Sequence, residues 1–228
     1  MPSDAPRHTA RALSQESERR LPMRGIFRIG GYVACAILII GGIGAIVAGL
    51  IGHHEVAHQV QREKITGTPD MTPSGIQAEA RKAGLTDIDV PDCSVANKPI
   101  DSGARAYCFA SYMRIHALLD TGGFTYSQMG QYQEKPGTPK SQLAPGGGTS
   151  NEKFAVIDPK TKEPAPNTAR NIWVTETALS TALDTSFFAT AVADFAIVMG
   201  GALILIGIGL LLFLLGVIAP RRETVGPS

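Results

Sequence analysis

Residues 54–58 carry the most direct signal for chemistry in the chain. They read His, Glu, Val, Ala, His, which matches the H-E-x-x-H pattern. On a helix, His54 and His58 lie one turn apart and can bind zinc together, while Glu55 can activate a metal-bound water. Three other side chains could complete such a site, namely Glu79, His53 and His116. The pattern predicts a zinc site and makes a membrane-anchored zinc metalloenzyme one functional hypothesis.

The surroundings of this pattern favour a simpler interpretation. Metalloproteases of this type place the motif helix in a protein core beside a substrate groove, whereas residues 54–58 directly follow an uncharged apolar run at 29–52. A polar, exposed helix end just beyond a membrane span accounts for them. We therefore expect no catalytic residues and no cofactor, with zinc as the alternative.

Two apolar runs dominate the sequence. Residues 29–52 and 196–219 are each uncharged and longer than the roughly 20 residues that cross a ~30 Å hydrocarbon core as a helix. Because only a helix satisfies all its backbone groups from one segment inside lipid, these runs predict a two-helix transmembrane hairpin. The predicted boundaries are a disordered cytoplasmic tail at 1–28, a first span at 29–52, an external loop at 53–186, a second span with its outer end at 187–219, and a cytoplasmic tail at 220–228.

The flanking charges predict the orientation of the hairpin. Arginines flank the predicted hairpin in the sequence. They precede the first span or follow the second, at Arg7, Arg11, Arg19, Arg20, Arg24, Arg28, Arg221 and Arg222. Positive flanks stay in the cytoplasm, so we expect a multi-pass plasma-membrane protein with both termini inside and the loop outside. The loop has slightly more acidic than basic residues, which argues against a nucleic-acid partner.

Cysteine placement agrees with an external loop. Cys93 and Cys108 both fall in the loop, whereas Cys35 lies in the first span. We predict a disulfide between Cys93 and Cys108, which would contribute roughly 3 kcal/mol in the chain-entropy model.

The external loop is predicted to be mainly α-helical. Thr72 and Pro73 are typical of a helix start, and Gly84 of a helix end. Residues 102–119 keep a helical apolar period, which predicts a second helix. Asn167 or Thr168 can cap a third helix that runs into the second span.

Two other parts of the loop are not predicted to be helical. Ile88 and Val90 alternate with aspartates and predict a short strand. Residues 131–167 are rich in Pro, Gly and Lys and poor in apolar residues, so we expect a long flexible insertion.

The first span carries small residues at four-residue spacing. They form two neighbouring stripes, Gly41, Ala45 and Gly49, and Gly44, Ala48 and Gly52. Such faces allow close helix packing. We expect them to pack against the second span, and association with another protein or a second copy is the alternative.

Three polar residues are further functional candidates. Asp194 lies near the outer end of the second span, where a carboxylate is costly unless it is paired or hydrated. His116 and Asp120 lie one turn apart on the second loop helix and could form a pH-sensitive pair.

Two segments resemble a family of small two-span membrane proteins of actinobacteria. Residues 98–130 contain His116 and a Thr-Gly-Gly-x-Thr-Tyr turn at 121–126, and residues 170–213 contain Thr-Ala-Leu at 181–183. Members often carry an aromatic-ring-opening dioxygenase label, but that chemistry needs an iron held by two His and one carboxylate, which these motifs do not supply. The resemblance implies the two-span topology and an actinobacterial cell-envelope setting.

Three functional hypotheses follow. The first is a non-enzymatic accessory or scaffold protein of the cell envelope, which contacts membrane lipids and binds a larger membrane complex or forms a homo-oligomer. The second is the zinc metalloenzyme. The third is a module that binds lipid or a small ligand.

Overall fold

A computed structural model describes the backbone of residues 6–218 and the side chains of residues 28–216. Within this range the chain forms four α-helices, α1 (Pro6–Arg62), α2 (Pro73–Lys82), α3 (Gly103–Asp120) and α4 (Thr168–Ile218), with three single-turn 3-10 helices between α3 and α4. The described residues make isolated β-bridges but no β-strand. The predicted mainly α fold is therefore confirmed.

The chain divides into two compact units. Of the described residues, the hairpin unit comprises 6–51 and 193–218, and the loop domain comprises 52–192. Each unit contains part of α1 and part of α4.

Two helices are long and apolar enough to cross a membrane. They cover Arg28–Arg62 in α1 and Thr168–Gly216 in α4. Large apolar side chains on both remain exposed, including Ile40 at 69% and Leu205 at 72%. Each such side chain gains about 1.5–3 kcal/mol on leaving water, so a lipid environment suits these faces.

The first helix is longer than the sequence predicted. It starts at Pro6, whereas residues 1–28 were expected to be disordered. Ala, Arg, Leu, Gln and Glu are frequent in residues 9–21 and all favour helix, which explains the difference. The predicted tail at 220–228 lies outside the described residues.

Small residues at seven-residue spacing hold the hairpin unit together. Cys35 and the glycines at 42 and 49 are buried on α1, and Ala193 and the glycines at 200 and 207 are buried on α4. A Cβ atom on Gly42 would lie 2.5 Å from the carbonyl oxygen of Gly200, and a Cβ on Gly49 would lie 2.7 Å from that of Ala193. The two backbones therefore approach closely because these positions have little or no side chain.

This contact corrects the predicted packing face. Of the two predicted stripes, Gly49 does contact α4, but a Cβ on Gly41 or Gly44 would meet no atom within 4 Å, and Ala48 is exposed. A four-residue spacing drifts around an α-helix by about 40° per step, whereas seven residues return within about 20° of the same direction. The heptad-spaced set therefore stays on the face toward α4.

The loop domain has a core between α2 and α3. Its largest fully buried side chains are Met71, Ile76, Val95, Ile100 and Tyr112. The sulfur atoms of Cys93 and Cys108 lie 2.10 Å apart, at disulfide distance as predicted. This crosslink attaches the segment before α3 to the second turn of α3.

The predicted helices of the loop domain are confirmed, but the predicted strand is wrong. Thr72 caps α2 by accepting a hydrogen bond from the Gly75 backbone amide at 3.0 Å, and α3 ends at glycines with positive φ. Ile88 and Val90 pack on the core, yet residues 88–90 form no β-ladder. Their alternation reflects one buried side of an irregular segment.

Residues 131–167 differ from the flexible insertion that the sequence predicted. Tyr132 bridges both Thr149 and Pro166. The Gln133 amide donates to the Ala165 carbonyl at 2.9 Å, and the Val156 amide donates to the Gln133 carbonyl at 2.8 Å. The segment thus satisfies much of its backbone internally and needs few apolar side chains to fold.

The junction between this segment and α4 is built around two side chains. Asn167 caps α4 by accepting from the Ala169 amide at 3.1 Å, as predicted, and it donates to the Gly130 carbonyl at 3.0 Å. Trp173 is 3% exposed and its indole N–H donates to the Phe124 carbonyl at 2.8 Å. Trp173 therefore attaches α4 to the Phe124 turn within the loop domain.

Candidate functional sites in the loop domain

The H-E-x-x-H residues lie near the end of α1. His54, Glu55 and His58 are all exposed, and Glu55 accepts a hydrogen bond from the Gln59 amide group at 2.6 Å. His53 is half-buried. A zinc site on His54, Glu55 and His58 stays a prediction.

Glu79, one of the three candidates for completing that zinc site, lies in a different cluster. The Glu79 carboxylate lies close to the Asp70 carboxylate and the His116 imidazole. The potential ligand atoms of these three residues all lie within 4.8 Å of one another. Among the described residues, this is the one group of three or more potential metal ligands. We call it the Asp-Glu-His cluster.

Three separate elements position the Asp-Glu-His cluster. Asp70 lies in the segment before α2, Glu79 lies on α2, and His116 lies on α3. A Cβ on Gly75 would lie 2.5 Å from the Asp70 carbonyl oxygen, so glycine in the first turn of α2 allows the Asp70 segment to pack directly against that helix.

The partner of His116 is Asp70 rather than the predicted Asp120. The imidazole Nε2 and the Asp70 Oδ2 are 2.6 Å apart. Burial raises the pKa of Asp70, but hydrogen bonds from Thr68 and His116 outweigh it, so the pKa lies below its usual value. Asp70 is therefore a carboxylate at neutral pH, and Nε2 of His116 is the donor in the pair.

A second set of contacts fixes the backbone beside Asp70. The Tyr112 hydroxyl donates to the Cys93 carbonyl at 2.6 Å, and the Val95 amide donates to the Met71 carbonyl at 3.2 Å. Burial and the Asp70 carboxylate both raise the pKa of Tyr112, so its phenol stays protonated and able to donate. The Cys93–Cys108 disulfide joins the segment that contains the Cys93 carbonyl to α3, the helix that carries Tyr112 and His116.

A groove of about 450 Å³ runs along α3 and the N-terminal part of α4. We call it the α3–α4 groove. It is lined by Asp89, Tyr107, Ala110, Ser111, Arg114, Ile115, Leu118, Glu176, Thr177, Ser180, Thr181 and Asp184. Three acidic residues and one arginine give this lining a net negative charge, while its hydroxyl groups supply donors and acceptors.

Glu176 is the most buried acidic residue of the groove. It is 5% exposed and accepts a hydrogen bond from the Ser180 hydroxyl at 2.8 Å. Thr177 donates a second hydrogen bond at 3.4 Å. Glu176 also lines a neighbouring cavity of about 370 Å³ together with His116 and Asp120, so one carboxylate lies between two concave surfaces.

The two other predicted polar residues, Asp194 and Asp120, do not belong to the Asp-Glu-His cluster. Asp194 is an exposed residue of α4 in the hairpin unit. Asp120 is exposed at the end of α3. Functional roles for both stay predictions.

No protein-family model, curated protein or solved structure matches this chain. The resemblance to small actinobacterial membrane proteins thus stays a prediction, and functional arguments depend on the chain's own geometry.

Sequence reasoning missed Asp70 and Glu176. Asp70 lies two residues before the Thr72 cap, where an aspartate is an ordinary turn residue, and only the fold brings it to His116. Glu176 could have been noticed, since it occupies a position on the apolar face of α4 where a carboxylate is uncommon.

Proposed function

We propose that this chain is an integral membrane accessory protein of the cell envelope that acts by binding another membrane protein, without catalysis. The observation that carries the proposal is the α3–α4 groove, in which a buried carboxylate and a row of hydroxyl groups line an open concave surface. The same helix α4 continues from this groove into the apolar segment. A protein built in this way can present a binding surface on a membrane anchor.

The orientation proposed here follows from the flanking arginines and the disulfide. Positive residues outside both apolar runs favour cytoplasmic termini, and a cysteine pair at bonding distance suits an oxidising compartment. The loop domain then lies outside the plasma membrane. Exposed apolar faces on both helices contact lipid or the partner's spans.

The groove favours a basic partner segment. Its acidic residues Asp89, Glu176 and Asp184 outnumber the single Arg114, and complementary charge guides encounter and orientation. Tyr107 is 51% exposed and its ring centroid lies 4.8 Å from that of Phe187. Aromatic side chains with exposed faces are common anchors of protein interfaces.

Quantitative copurification tests this proposal. Tagged protein is extracted from its native membrane in a gentle detergent and its partners are measured by mass spectrometry. An Asp184→Lys variant should lose a specific membrane partner, because it reverses one charge of the groove. The matched control is Glu63→Lys, which makes the same charge change at an exposed residue beyond the groove.

The outcomes separate the alternatives. Loss of the partner with Asp184→Lys but not with Glu63→Lys supports the proposal. A free monomer in every sample, or equal partner recovery with both variants, contradicts it.

A further inference from the structure

The Asp-Glu-His cluster combines the ligand types that divalent transition metals use. It offers one imidazole nitrogen and two carboxylates, and these are common ligands of zinc and related ions. Its members come from the segment before α2, from α2 and from α3, so the fold brings together residues that are distant in the sequence.

Access and charge both suit a cation. The side chains of His116 and Asp70 are 24% and 22% exposed, and Glu79 is exposed, so an ion can enter and keep water ligands. The Asp70 carboxylate pairs with the His116 imidazole, and Arg105 in the same domain pairs with Asp101.

We infer that Asp70, Glu79 and His116 form a binding site for one divalent transition-metal ion, for which zinc is the matching probe. This inference is independent of the proposed groove. It also differs from the H-E-x-x-H prediction, because it uses neither His54 nor His58.

Metal binding requires only small side-chain movements. Ligand atoms around a tetrahedral zinc ion, with bonds of about 2.0–2.1 Å, lie about 3.3 Å apart. His116 Nε2 and Asp70 Oδ2 are closer than this, at 2.6 Å, and the Glu79 carboxylate lies within 4.8 Å. On binding, the ion takes the place of the proton between Nε2 and Asp70, the neutral ring carries its one proton on Nδ1 so that Nε2 offers its lone pair, and Glu79 moves inward.

Hydrogen bonds beside the cluster hold the Asp70 segment and α3 in place. Thr72 caps α2 next to Asp70, and Tyr112, one turn before His116 on α3, bonds to the Cys93 carbonyl. Ligands held on capped helices lose little freedom when an ion binds, which favours affinity. Glu79, as the exposed member, is the ligand that closes the site.

Zinc titration of the full chain in detergent micelles tests the inference. Protein stripped with EDTA is titrated with Zn²⁺ by calorimetry, and bound zinc is counted by elemental analysis. We expect one zinc ion per chain. Glu79→Gln and His116→Gln should each weaken binding at least about tenfold, since even loss of an outer-shell partner costs that much.

Two controls separate the possible sites. Asp120→Asn alters an acidic residue on α3 that is not a member of the cluster, and should leave zinc affinity unchanged. The double variant His54→Gln with His58→Gln removes the H-E-x-x-H ligands and should also bind one zinc ion normally. Because Glu79 is at least partly exposed, Glu79→Gln should fold as the parent does, and its circular dichroism spectrum checks this.

Three results would overturn the site. These are absence of zinc binding by the parent protein, undiminished binding by both Glu79→Gln and His116→Gln, and loss of zinc only in the His54 and His58 double variant. Cobalt substitution adds a spectroscopic check, because visible absorption of bound Co²⁺ should disappear with His116→Gln.

Discussion

Alanine at Gly42 should loosen the helix pair of the hairpin unit, whereas alanine at the adjacent Gly41 should not. The added Cβ at position 42 would lie 2.5 Å from the Gly200 carbonyl oxygen and 2.7 Å from the Ile204 Cγ1. The added Cβ at position 41 would meet nothing within 4 Å. The two variants differ in packing but make the same chemical change in the same helix.

The magnitude follows from two opposing effects. Overpacking a close contact costs about 1–3 kcal/mol, and alanine regains up to about 1 kcal/mol of helix propensity over glycine. The propensity gain is common to both variants, so the difference between them isolates the packing cost. We expect Gly42→Ala to open the helix pair about 5- to 150-fold more often than Gly41→Ala, since 1.4 kcal/mol corresponds to a factor of ten.

Cys35 provides a natural probe for this opening. It is the free cysteine among the described residues and is buried against α4, so a thiol reagent reaches it only when the helices separate. The rate of maleimide labelling, read as a mass shift, therefore reports the opening equilibrium when closing outpaces labelling. A second matched pair, Gly200→Ala and Gly201→Ala, should behave in the same way, because Gly201 also faces open space.

Equal labelling rates within each pair would refute the heptad-spaced packing face. Faster labelling of Gly41→Ala than of Gly42→Ala would instead restore the four-residue stripes that the sequence suggested.

Three further predictions concern the loop domain. Replacing Cys93 and Cys108 together with alanine should lower its free energy of unfolding by about 3 kcal/mol, measured by urea denaturation with Trp173 fluorescence, because that residue is the single tryptophan. Tyr112→Phe should cost about 1–2 kcal/mol in the same assay, since it removes the 2.6 Å hydrogen bond to the Cys93 carbonyl and leaves a partly buried acceptor without this donor. Asn167→Ala removes a helix cap and the bond to the Gly130 carbonyl, worth about 2 kcal/mol together, and should speed tryptic cleavage within residues 131–167.

Each of these three predictions has a control or a result that would contradict it. Full alkylation of Cys93 and Cys108 without reduction would contradict the disulfide. Tyr107→Phe alters an exposed tyrosine and should change stability by less than about 0.5 kcal/mol; an equal effect of the two tyrosine variants would contradict the role of the Tyr112 hydroxyl. Rapid trypsin cleavage of residues 131–167 in the parent protein would favour the flexible insertion that the sequence predicted.

Local signals predicted the helices well. Thr72, Pro73 and Gly84 act within a few residues of α2, and the apolar period of 102–119 reflects one helix against one core. The same holds for the two apolar runs, whose length and lack of charge suffice to identify helices that can cross a membrane.

Features that depend on residues distant in the chain could not be predicted from the sequence. Residues 131–167 looked unstructured because their stability comes from backbone hydrogen bonds across the segment, such as that between Gln133 and Ala165, which leave no apolar pattern. The packing face of α1 was misjudged because many small residues occur there and only α4 determines which of them are covered. Asp70 joins His116 through contacts 46 residues apart in the chain.

Site-specific photocrosslinking in intact cells tests whether the loop domain binds a membrane partner through the α3–α4 groove. A photoreactive amino acid at Thr181 lies in the α3–α4 groove, and one at Gln61 lies on an exposed part of α1 as the control. We expect a crosslink from Thr181, but not from Gln61, to one membrane protein, and an added Asp184→Lys substitution should abolish it. Crosslinks only to lipid or to cytoplasmic proteins, or equal crosslinking from both positions, would contradict an external loop domain that binds a membrane partner through this groove.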